Sequence, residues 1–355
     1  MSLNIASSMR KHNFAVLDGL RGVAAIVVVV AHLSSMMIGH ALFERKYMAV
    51  QFFFMLSGFV VMCAYEQPLR TNMSFFQFCL RRAIRLYPLI WVGTLLGWLY
   101  YGTLSKDFAV DPDGLRYVWL SALGLPTLKE NFNLSKFPIN PPEWSLFFEF
   151  GAYIAFGMLV RFASTKAIAV LATVGLLFYS NTTLSYTNHD MPFRYNVFGI
   201  WASFMIGMLL WRAYQAKLFS SLSVSFPVLA VIIVVSCAIP EQFPAALNIA
   251  LIALIFPAIM LFGANCIAPK LQRTLAFLGE LSYPLYILHW PIAIFTKHAL
   301  FDALGPTVTT LASCLFSIMA SWVIYVALDK PMRAWLTLKL CAPATSNNFD
   351  GAQPS

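Results

Sequence analysis

Residues 17–32 read LDGLRGVAAIVVVVAH, and this stretch decides the fold class. Every residue between Arg21 and His32 is Gly, Ala, Val or Ile, and the apolar run continues to about residue 38. A bilayer is crossed by about 20 apolar helical residues. We therefore predict that residues 17–38 form a membrane-spanning helix with a cation near one end and an imidazole inside it.

The composition of the whole chain agrees with this prediction. Of its 355 residues, 59% are hydrophobic and 11% are charged, and the mean hydropathy is +0.71. Soluble domains carry roughly a quarter of their residues as charge, and disordered chains have the opposite bias. Both classes are excluded. The six cysteines are scattered singly, so neither a disulfide framework nor a metal site is expected.

Ten apolar stretches are long enough to cross a bilayer, and the first is expected to be retained rather than cleaved as a signal peptide. They lie at about 17–38, 47–65, 84–104, 144–161, 166–182, 194–212, 224–240, 244–264, 275–298 and 306–328. The predicted fold class is all-α, a polytopic transmembrane helix bundle of about ten spans.

The distribution of basic residues predicts the orientation of this bundle. With the N-terminus inside, sixteen of the 24 Lys and Arg residues fall on the cytoplasmic side, as the positive-inside rule requires. Both termini are then cytoplasmic, and the net charge of +9 needs no nucleic-acid partner.

Two units and one long external segment follow from the same pattern. Residues 1–340 are predicted to form one integral membrane domain, and residues 341–355 a short, polar, disordered tail. The longest interruption in hydrophobicity, 105–143, is external and apolar around 117–125, where we expect a short re-entrant or surface helix.

Arg21 and His32 are the first pair of polar residues inside a predicted span. They are eleven residues apart, three helical turns or about 16 Å, so they share one face. Intramembrane ionisable groups indicate function by default. The structural alternative is an Arg held by Asp18 one turn earlier and a His hydrogen-bonded to a neighbouring helix.

The sequence RRAIRLYP places Arg81, Arg82 and Arg85 within about one turn at the cytoplasmic mouth of the third span. Arginine favours planar, multidentate recognition of phosphate. The alternative is that these charges only set topology.

The sequence PPEWSLFFEF places Ser145 and Glu149 on one helix face, with Glu149 about one turn inside the outer boundary. A carboxylate at that depth needs a partner. Glu149 could orient an imidazole such as His32, or it could pair structurally with an arginine. Trp144 could be an interfacial anchor.

The sequence LGELSYPLYILHWP carries Tyr286 and His289 at positions i and i+3, and Pro284 is predicted to kink the span. A buried, aromatic-flanked histidine is either a structural hydrogen-bonding group or a participant in the chemistry.

Six segments together resemble acyltransferase family 3, integral membrane proteins that transfer acyl groups, commonly acetyl, from coenzyme A thioesters to sugars and other acceptors. The six occur in family order: LDGLRGVAAIVVVVAH, VQFFFMLSGFVV, FCLRRAIRLYPLIW, PPEWSLFFEF, LGELSYPLYILHWP and LDKPMRAWL, between residue 17 and about 336. The sequence resembles the stand-alone form, without the SGNH-type domain that some members carry.

The resemblance implies specific roles for four residues. Arg21 and His32 match the essential R-x(10)-H pair of the family, and Arg82 and Arg85 match its R-x-x-R motif, which is associated with the coenzyme A donor. Two positions depart from the pattern. Gln51 stands where many members carry Asp, and Asp329 replaces the usual Glu before Lys330 and Pro331.

The expected activity is therefore that of a membrane O-acyltransferase, most simply an O-acetyltransferase. Its co-substrate would be acetyl-CoA or another acyl-CoA, with no permanently bound cofactor, and its acceptor a sugar hydroxyl of a cell-surface or lipid-linked glycan. The expected location is the bacterial inner membrane. The motifs specify neither the acceptor, nor the acyl chain length, nor the oligomeric state.

The residues fall into three groups in this hypothesis. His32 is the general base, with Arg21 and Glu149 as further catalytic candidates. The donor-binding candidates are Arg81, Arg82 and Arg85, and the acceptor-binding or supporting candidates are Trp144, Ser145, Tyr286 and His289. Direct transfer and a transiently acylated residue both remain open. A transporter of lipid-linked sugars or small acids is the rival function, although no repeat symmetry between the halves is visible.

Overall fold

The computed structural model describes residues 14–104, 114–127, 136–185 and 196–341. Within these ranges the chain is helical and has no β-strand. Residues 342–355 of the predicted tail and residues 105–113 and 128–135 of the external segment lie outside the described residues, whereas Cys341 ends the last helix.

The described residues form eleven α-helices. They are α1 (Ala15–Ile38), α2 (Lys46–Thr71), α3 (Phe75–Leu99), α4 (Gly114–Ala122), α5 (Glu143–Leu159), α6 (Thr165–Ser185), α7 (Asn196–Gln215), α8 (Phe226–Ala238), α9 (Ala246–Asn265), α10 (Gln272–Ile324) and α11 (Lys330–Cys341). Short π-helical turns extend α3 (Tyr100–Leu104), interrupt α9 (Leu251–Ile255) and join α10 to α11 (Tyr325–Asp329).

Each of the ten predicted apolar stretches overlaps one of these helices or one arm of α10. By length and composition, six helical segments of the described chain could cross a membrane, and the last of these is the long segment Pro269–Cys341. The protein is therefore an all-helical, multi-pass integral membrane protein. The short helix expected around residues 117–125 is present as α4.

The break in α10 falls at Gly305, not at Pro284 where a kink was predicted. The backbone is helical through Pro284, whereas Gly305 has φ 72° and ψ 174°, a conformation open to glycine but strained for other residues. Gly305 thus divides α10 into an arm of residues 272–304 and an arm of residues 306–324.

Helices α1 and α10 form the central pair, and glycines let their backbones approach closely. A Cβ on Gly22 would lie 2.7 Å from the carbonyl oxygen of Leu278, and one on Gly279 would lie 2.6 Å from Cβ of Asp18. Small residues at helix contacts are typical of membrane bundles, because association there depends on close packing. The same face of α1 therefore meets α10 along its length.

Helices α2 and α7 form a second close pair. A Cβ on Gly58 would overlap the carbonyl oxygen of Phe204, and a Cβ on Gly207 would overlap that of Met55. Gln51 accepts a hydrogen bond from Ser203 Oγ (2.8 Å) across this contact. The residue that departs from the family pattern is thus a buried link between two helices.

The contacts also fix helix directions. Arg21 contacts residues 279 and 282 while His32 contacts His289, so α1 and the first arm of α10 run parallel. The bundle therefore has two distinct ends along this pair. We call the end with Arg81, Arg85 and Lys330 the basic end, and the end with His32 and Lys297 the histidine end.

Candidate functional site

Arg21 joins α1 to α10 near the basic end. Its Nε donates to Ser282 Oγ (2.9 Å), and its Nη2 donates to the carbonyl of Gly279 (2.7 Å). Nη2 also lies 3.0 Å from Asp18 Oδ1, the ion pair that the structural alternative predicted. Arg21 thus holds two helices together while it lines the central cavity described below.

A polar network connects α2, α3 and α5 around Tyr153. The Tyr153 hydroxyl donates to Glu149 Oε1 and accepts from Arg82 Nη2, and Ser57 Oγ lies 2.9 Å from the same hydroxyl. Ser57 also donates to Glu149 Oε1 (3.2 Å). The guanidinium of Arg82 lies over the Tyr153 ring, 4.1 Å from its centroid. Glu149 and Arg82 are therefore coupled through one phenol.

This network places Glu149 differently from the sequence-based expectation. The carboxylate contacts Ser57 and Tyr153 on the side of the arginines, whereas His32 has His289 as its partner. Glu149 is therefore not the group that orients His32. The other alternative, coupling to an arginine, is closer to the observed geometry.

Arg85 differs from Arg82 although both belong to one motif. Arg82 is buried, with 6% of its surface exposed, and is hydrogen-bonded. Arg85 is half-buried and makes no hydrogen bond or ion pair with any described residue. A guanidinium whose N–H groups donate no hydrogen bond to the protein can donate them to a ligand.

A basic cavity opens at the mouth of α3, between α3 and α11. Its volume is about 590 Å³, and its cationic lining consists of Arg81, Arg82, Arg85, Lys330 and Arg333. Arg333 is 2.7 Å from Asp329 Oδ2, so the Asp in the family motif anchors the start of α11. Five cations around one cavity are suited to a polyanionic ligand.

A central cavity lies deeper, inside the bundle. About 90 Å³ of it is open to water-sized molecules, and five helices contribute to its wall. Its polar lining consists of Arg21, Ser57, Arg82, Arg85, Ser145, Glu149, Tyr153, Ser282, Tyr283 and Tyr286. Arg82 and Arg85 line both this cavity and the basic cavity, so the two adjoin.

Ser145 and Tyr286 close the central cavity towards the histidine end. Ser145 Oγ and the Tyr286 hydroxyl are 2.8 Å apart, and both residues are buried. Their neighbours in the sequence lie towards the histidine end: His289 is one turn beyond Tyr286, and Trp144 precedes Ser145.

His32 and His289 form a hydrogen-bonded pair between α1 and α10. Nδ1 of His32 lies 2.9 Å from Nε2 of His289. His289 is fully buried, and its Nδ1 lies 2.7 Å from the carbonyl oxygen of Tyr286. The structural alternative for His32, a hydrogen bond to a neighbouring helix, thus describes a real contact, but the partner is a second imidazole.

His32 faces an outer cavity at the histidine end. This cavity has a volume of about 480 Å³ and is lined by His32, Ser35, Met36, Pro141, Pro142, Trp144, Trp290 and Lys297. The Trp290 ring stands at 87° to the His32 ring, 6.0 Å between centroids. Its Nε1 is buried and has no hydrogen-bond partner among the described residues.

Several residues of these cavities were not among the sequence-based candidates, and four of them are instructive. Tyr153 follows Glu149 at i+4, a spacing that could have indicated the contact. Lys330 lies in a recognised motif, but only the fold brings it opposite Arg81. Trp290 and Lys297 follow His289 on the same helix and become visible as a site only through the outer cavity.

The fold and these polar interior groups define a class: a multi-pass membrane protein with ionisable residues along a series of internal cavities. Comparison with known proteins narrows the class. The family described as "Acyltransferase domain" matches residues 14–326, nearly the whole chain, and the protein belongs to this family. It is therefore an acyltransferase.

One curated relative is similar to part of the chain. "Protein 2 in picA locus" of Rhizobium radiobacter is 30% identical over 185 residues, which cover 46% of this chain and 93% of the relative. No solved structure matches.

Proposed function

We propose that the protein transfers an acyl group, most simply acetyl, from acyl-CoA to a hydroxyl of a sugar in a cell-surface or lipid-linked glycan. One observation carries the proposal. The basic cavity shares Arg82 and Arg85 with the central cavity, which extends to Tyr286, one turn from the His289–His32 pair. A polyanion site at one end is thus followed, within one bundle, by a cavity that reaches to within one helical turn of a paired imidazole.

The donor fits the basic end. The phosphates of coenzyme A would contact the positively charged side chains of Arg85, Arg81 and Lys330 in the basic cavity. The pantetheine arm would enter the central cavity. That cavity is narrow, which suits an unbranched chain better than a nucleotide. Because coenzyme A is cytoplasmic and cations concentrate on the cytoplasmic side, the basic end faces the cytoplasm in this proposal.

The acceptor fits the outer cavity. Its two tryptophans, Trp144 and Trp290, offer apolar ring faces next to His32, and Ser35 and Lys297 add polar contacts. Sugars present both apolar C–H faces and hydroxyls, so such a mixed wall matches them. A glycan finished at the outer face of a bacterial inner membrane would reach this cavity.

The chemistry requires a base and a path for one proton. A ring nitrogen of His32 takes the proton from the acceptor hydroxyl as its oxygen attacks the thioester carbonyl carbon. The new C–O bond forms, the C–S bond breaks, and the thiolate leaves with the proton returned by His32. A site from which the bound substrates displace water would strengthen these electrostatic contacts.

The test is donor turnover by purified protein with acetyl-CoA, followed as release of free thiol with and without a sugar acceptor. We expect His32→Gln to lose turnover by about 10²–10⁴-fold, the usual contribution of a positioned base, because an amide keeps a hydrogen bond but cannot take the proton. Coenzyme A affinity should stay unchanged. His298→Gln, the same substitution at an exposed histidine that lines none of the three cavities, is the matched control and should remain active.

Near-normal turnover in His32→Gln would place the base elsewhere. Absence of coenzyme A binding by folded wild-type protein would overturn the donor assignment as a whole.

A further inference from the structure

We propose that His289 is a positioning residue that fixes His32 in the tautomer protonated at Nδ1, so that Nε2 of His32 is the basic atom. This inference rests on the proposed function, in which His32 is the base. It assigns to His289 the task that a carboxylate performs in a Ser-His-Asp triad.

Two backbone carbonyls contact Nδ1 of His289 at the buried end of the pair. Nδ1 of His289 lies 2.7 Å from the carbonyl oxygen of Tyr286 and 3.2 Å from that of Leu285. A carbonyl oxygen can only accept a hydrogen bond, so Nδ1 of His289 carries the hydrogen. Two backbone carbonyls of its own helix therefore determine the tautomer of His289.

Nε2 of His289 accepts a hydrogen bond because the ring is neutral. The ring is fully buried, and no carboxylate of the described residues contacts it to compensate a positive charge. A buried, unpaired cation is costly, so the ring is neutral. With Nδ1 protonated, Nε2 carries the in-plane lone pair and acts as an acceptor.

The tautomer of His289 determines that of His32. Nε2 of His289 is 2.9 Å from Nδ1 of His32, and the ring planes differ by only 7° with centroids 5.2 Å apart. Nearly parallel planes and a centroid separation much longer than the N–N distance place the rings side by side, as an in-plane hydrogen bond requires. Nδ1–H of His32 therefore donates, and Nε2 of His32 holds its lone pair.

The consequence is a directed base. Nε2 is on the part of the His32 ring away from the nitrogen bound to His289, and His32 lines the outer cavity where the acceptor is proposed to bind. When Nε2 takes the hydroxyl proton, Nδ1–H stays hydrogen-bonded to His289, so no rearrangement of the pair accompanies the transfer. The reverse tautomer would present an N–H to the acceptor and could not remove its proton.

The direct test is ¹⁵N NMR of protein labelled at its six histidines, with the His32 signals assigned by their loss in His32→Gln. We expect His32 and His289 each to be protonated at Nδ1 and unprotonated at Nε2 in the resting protein. A His32 signal pattern with hydrogen on Nε2 would overturn the proposal, whatever the activity.

A pair of variants tests the effect on catalysis. His289→Gln supplies a side-chain carbonyl that can accept from Nδ1–H of His32, so kcat should stay within about tenfold of wild type. His289→Leu has no acceptor, and kcat should fall by about 10²–10⁴-fold, the range for a misdirected base. KM for acetyl-CoA should be unchanged in both.

Two outcomes contradict the proposal: a folded His289→Leu protein with near-normal kcat, or a folded His289→Gln protein as damaged as the Leu variant. If the Leu variant does not fold, the NMR pattern and the Gln variant still decide. The two proposals fail separately. If His32→Gln retains turnover, His32 is not the base. If His32→Gln loses turnover but NMR shows the reverse tautomer of His32, only the proposed role of His289 is refuted.

Discussion

Arg82 and Arg85 are one turn apart on α3, yet their surroundings give them different tasks. Arg82 is buried against Tyr153 and belongs to the network that includes Glu149. Arg85 makes no hydrogen bond or ion pair with any described residue and, like Arg82, lines both the basic and the central cavity. A motif that the sequence presents as one unit thus contains a hydrogen-bonded, buried arginine and a half-buried one without a hydrogen bond to the described residues, and we propose that the second contributes more to donor binding.

Because of this difference, we expect a lysine at position 85 to change donor affinity and a lysine at position 82 to change stability. Arg85→Lys keeps the charge but removes the planar pair of donors, so KM for acetyl-CoA should rise about tenfold or more, as expected when a charge-assisted hydrogen bond worth about 1.5–3 kcal/mol is weakened. Thermal stability should be unchanged. Steady-state kinetics and a melting curve in detergent measure both.

Arg82→Lys is the matched comparison. It weakens the buried contact with Tyr153, so the free energy of unfolding should fall by about 1–3 kcal/mol with a smaller change in KM. Equal effects of the two substitutions on donor affinity would contradict the division of tasks.

At the scale of helices, the contact between α2 and α7 explains the glycine of the LSGF segment. Ser57 contacts Glu149 and Tyr153, and the next residue, Gly58, touches the backbone of Phe204. One short segment therefore both supports the polar network and permits the close helix approach.

Gly58→Ala should destabilise the protein, because the added Cβ overlaps a backbone oxygen that cannot rotate away. Overpacking of this kind costs about 1–3 kcal/mol, seen as a lower melting temperature in detergent. Gly151→Ala on α5 is the control: its Cβ meets nothing within 4 Å, so the helix should be unaffected or stabilised by about 0.5–1 kcal/mol. Equal melting temperatures for the two variants would refute the packing argument.

The start of α11 forms the wall of the basic cavity opposite α3. Lys330 is exposed and lines this cavity, whereas Lys339 lies in the last turn of the same helix and is not part of the wall. Lys330→Gln should therefore weaken coenzyme A binding and reduce its salt dependence, since one phosphate contact is lost. Lys339→Gln should change neither quantity in a titration at two salt concentrations. The same loss in both variants would point to general attraction rather than a built site.

At the scale of the whole molecule, the parallel α1 and α10 place the basic cavity and the outer cavity at opposite ends of the bundle. In the proposed function, this arrangement separates donor from acceptor and assigns the two ends to opposite sides of the membrane. The central cavity adjoins the basic cavity, and its residues Ser145 and Tyr286 lie next in sequence or one turn from residues at the outer cavity.

Sidedness can be measured on intact cells with a membrane-impermeant maleimide. Ser35 and Arg81 are both exposed, at the histidine end and the basic end respectively. Ser35→Cys should react on intact cells, and Arg81→Cys only after permeabilisation, with wild type as the background for the six native cysteines. The opposite pattern would invert the orientation, and equal labelling would remove the separation of donor and acceptor.

The sequence by itself determined the local features of this protein. Long apolar runs predict helices in a bilayer, because only internally hydrogen-bonded segments are tolerated there. The spacing of Arg21 and His32 predicted a shared face, which the structure confirms, since both contact α10. Six ordered motifs were enough to indicate the acyltransferase family to which the chain belongs.

Only the tertiary structure decided which polar groups meet. His32 and His289 are 257 residues apart in the chain, and Glu149 contacts Ser57 and Tyr153, whereas the sequence left open whether its partner was an imidazole or an arginine. The physical reason is that helical periodicity assigns a residue to a face but does not say which face of another helix lies opposite. That choice depends on where glycines such as Gly22 and Gly58 allow backbones to touch, and it brings together residues from distant parts of the chain.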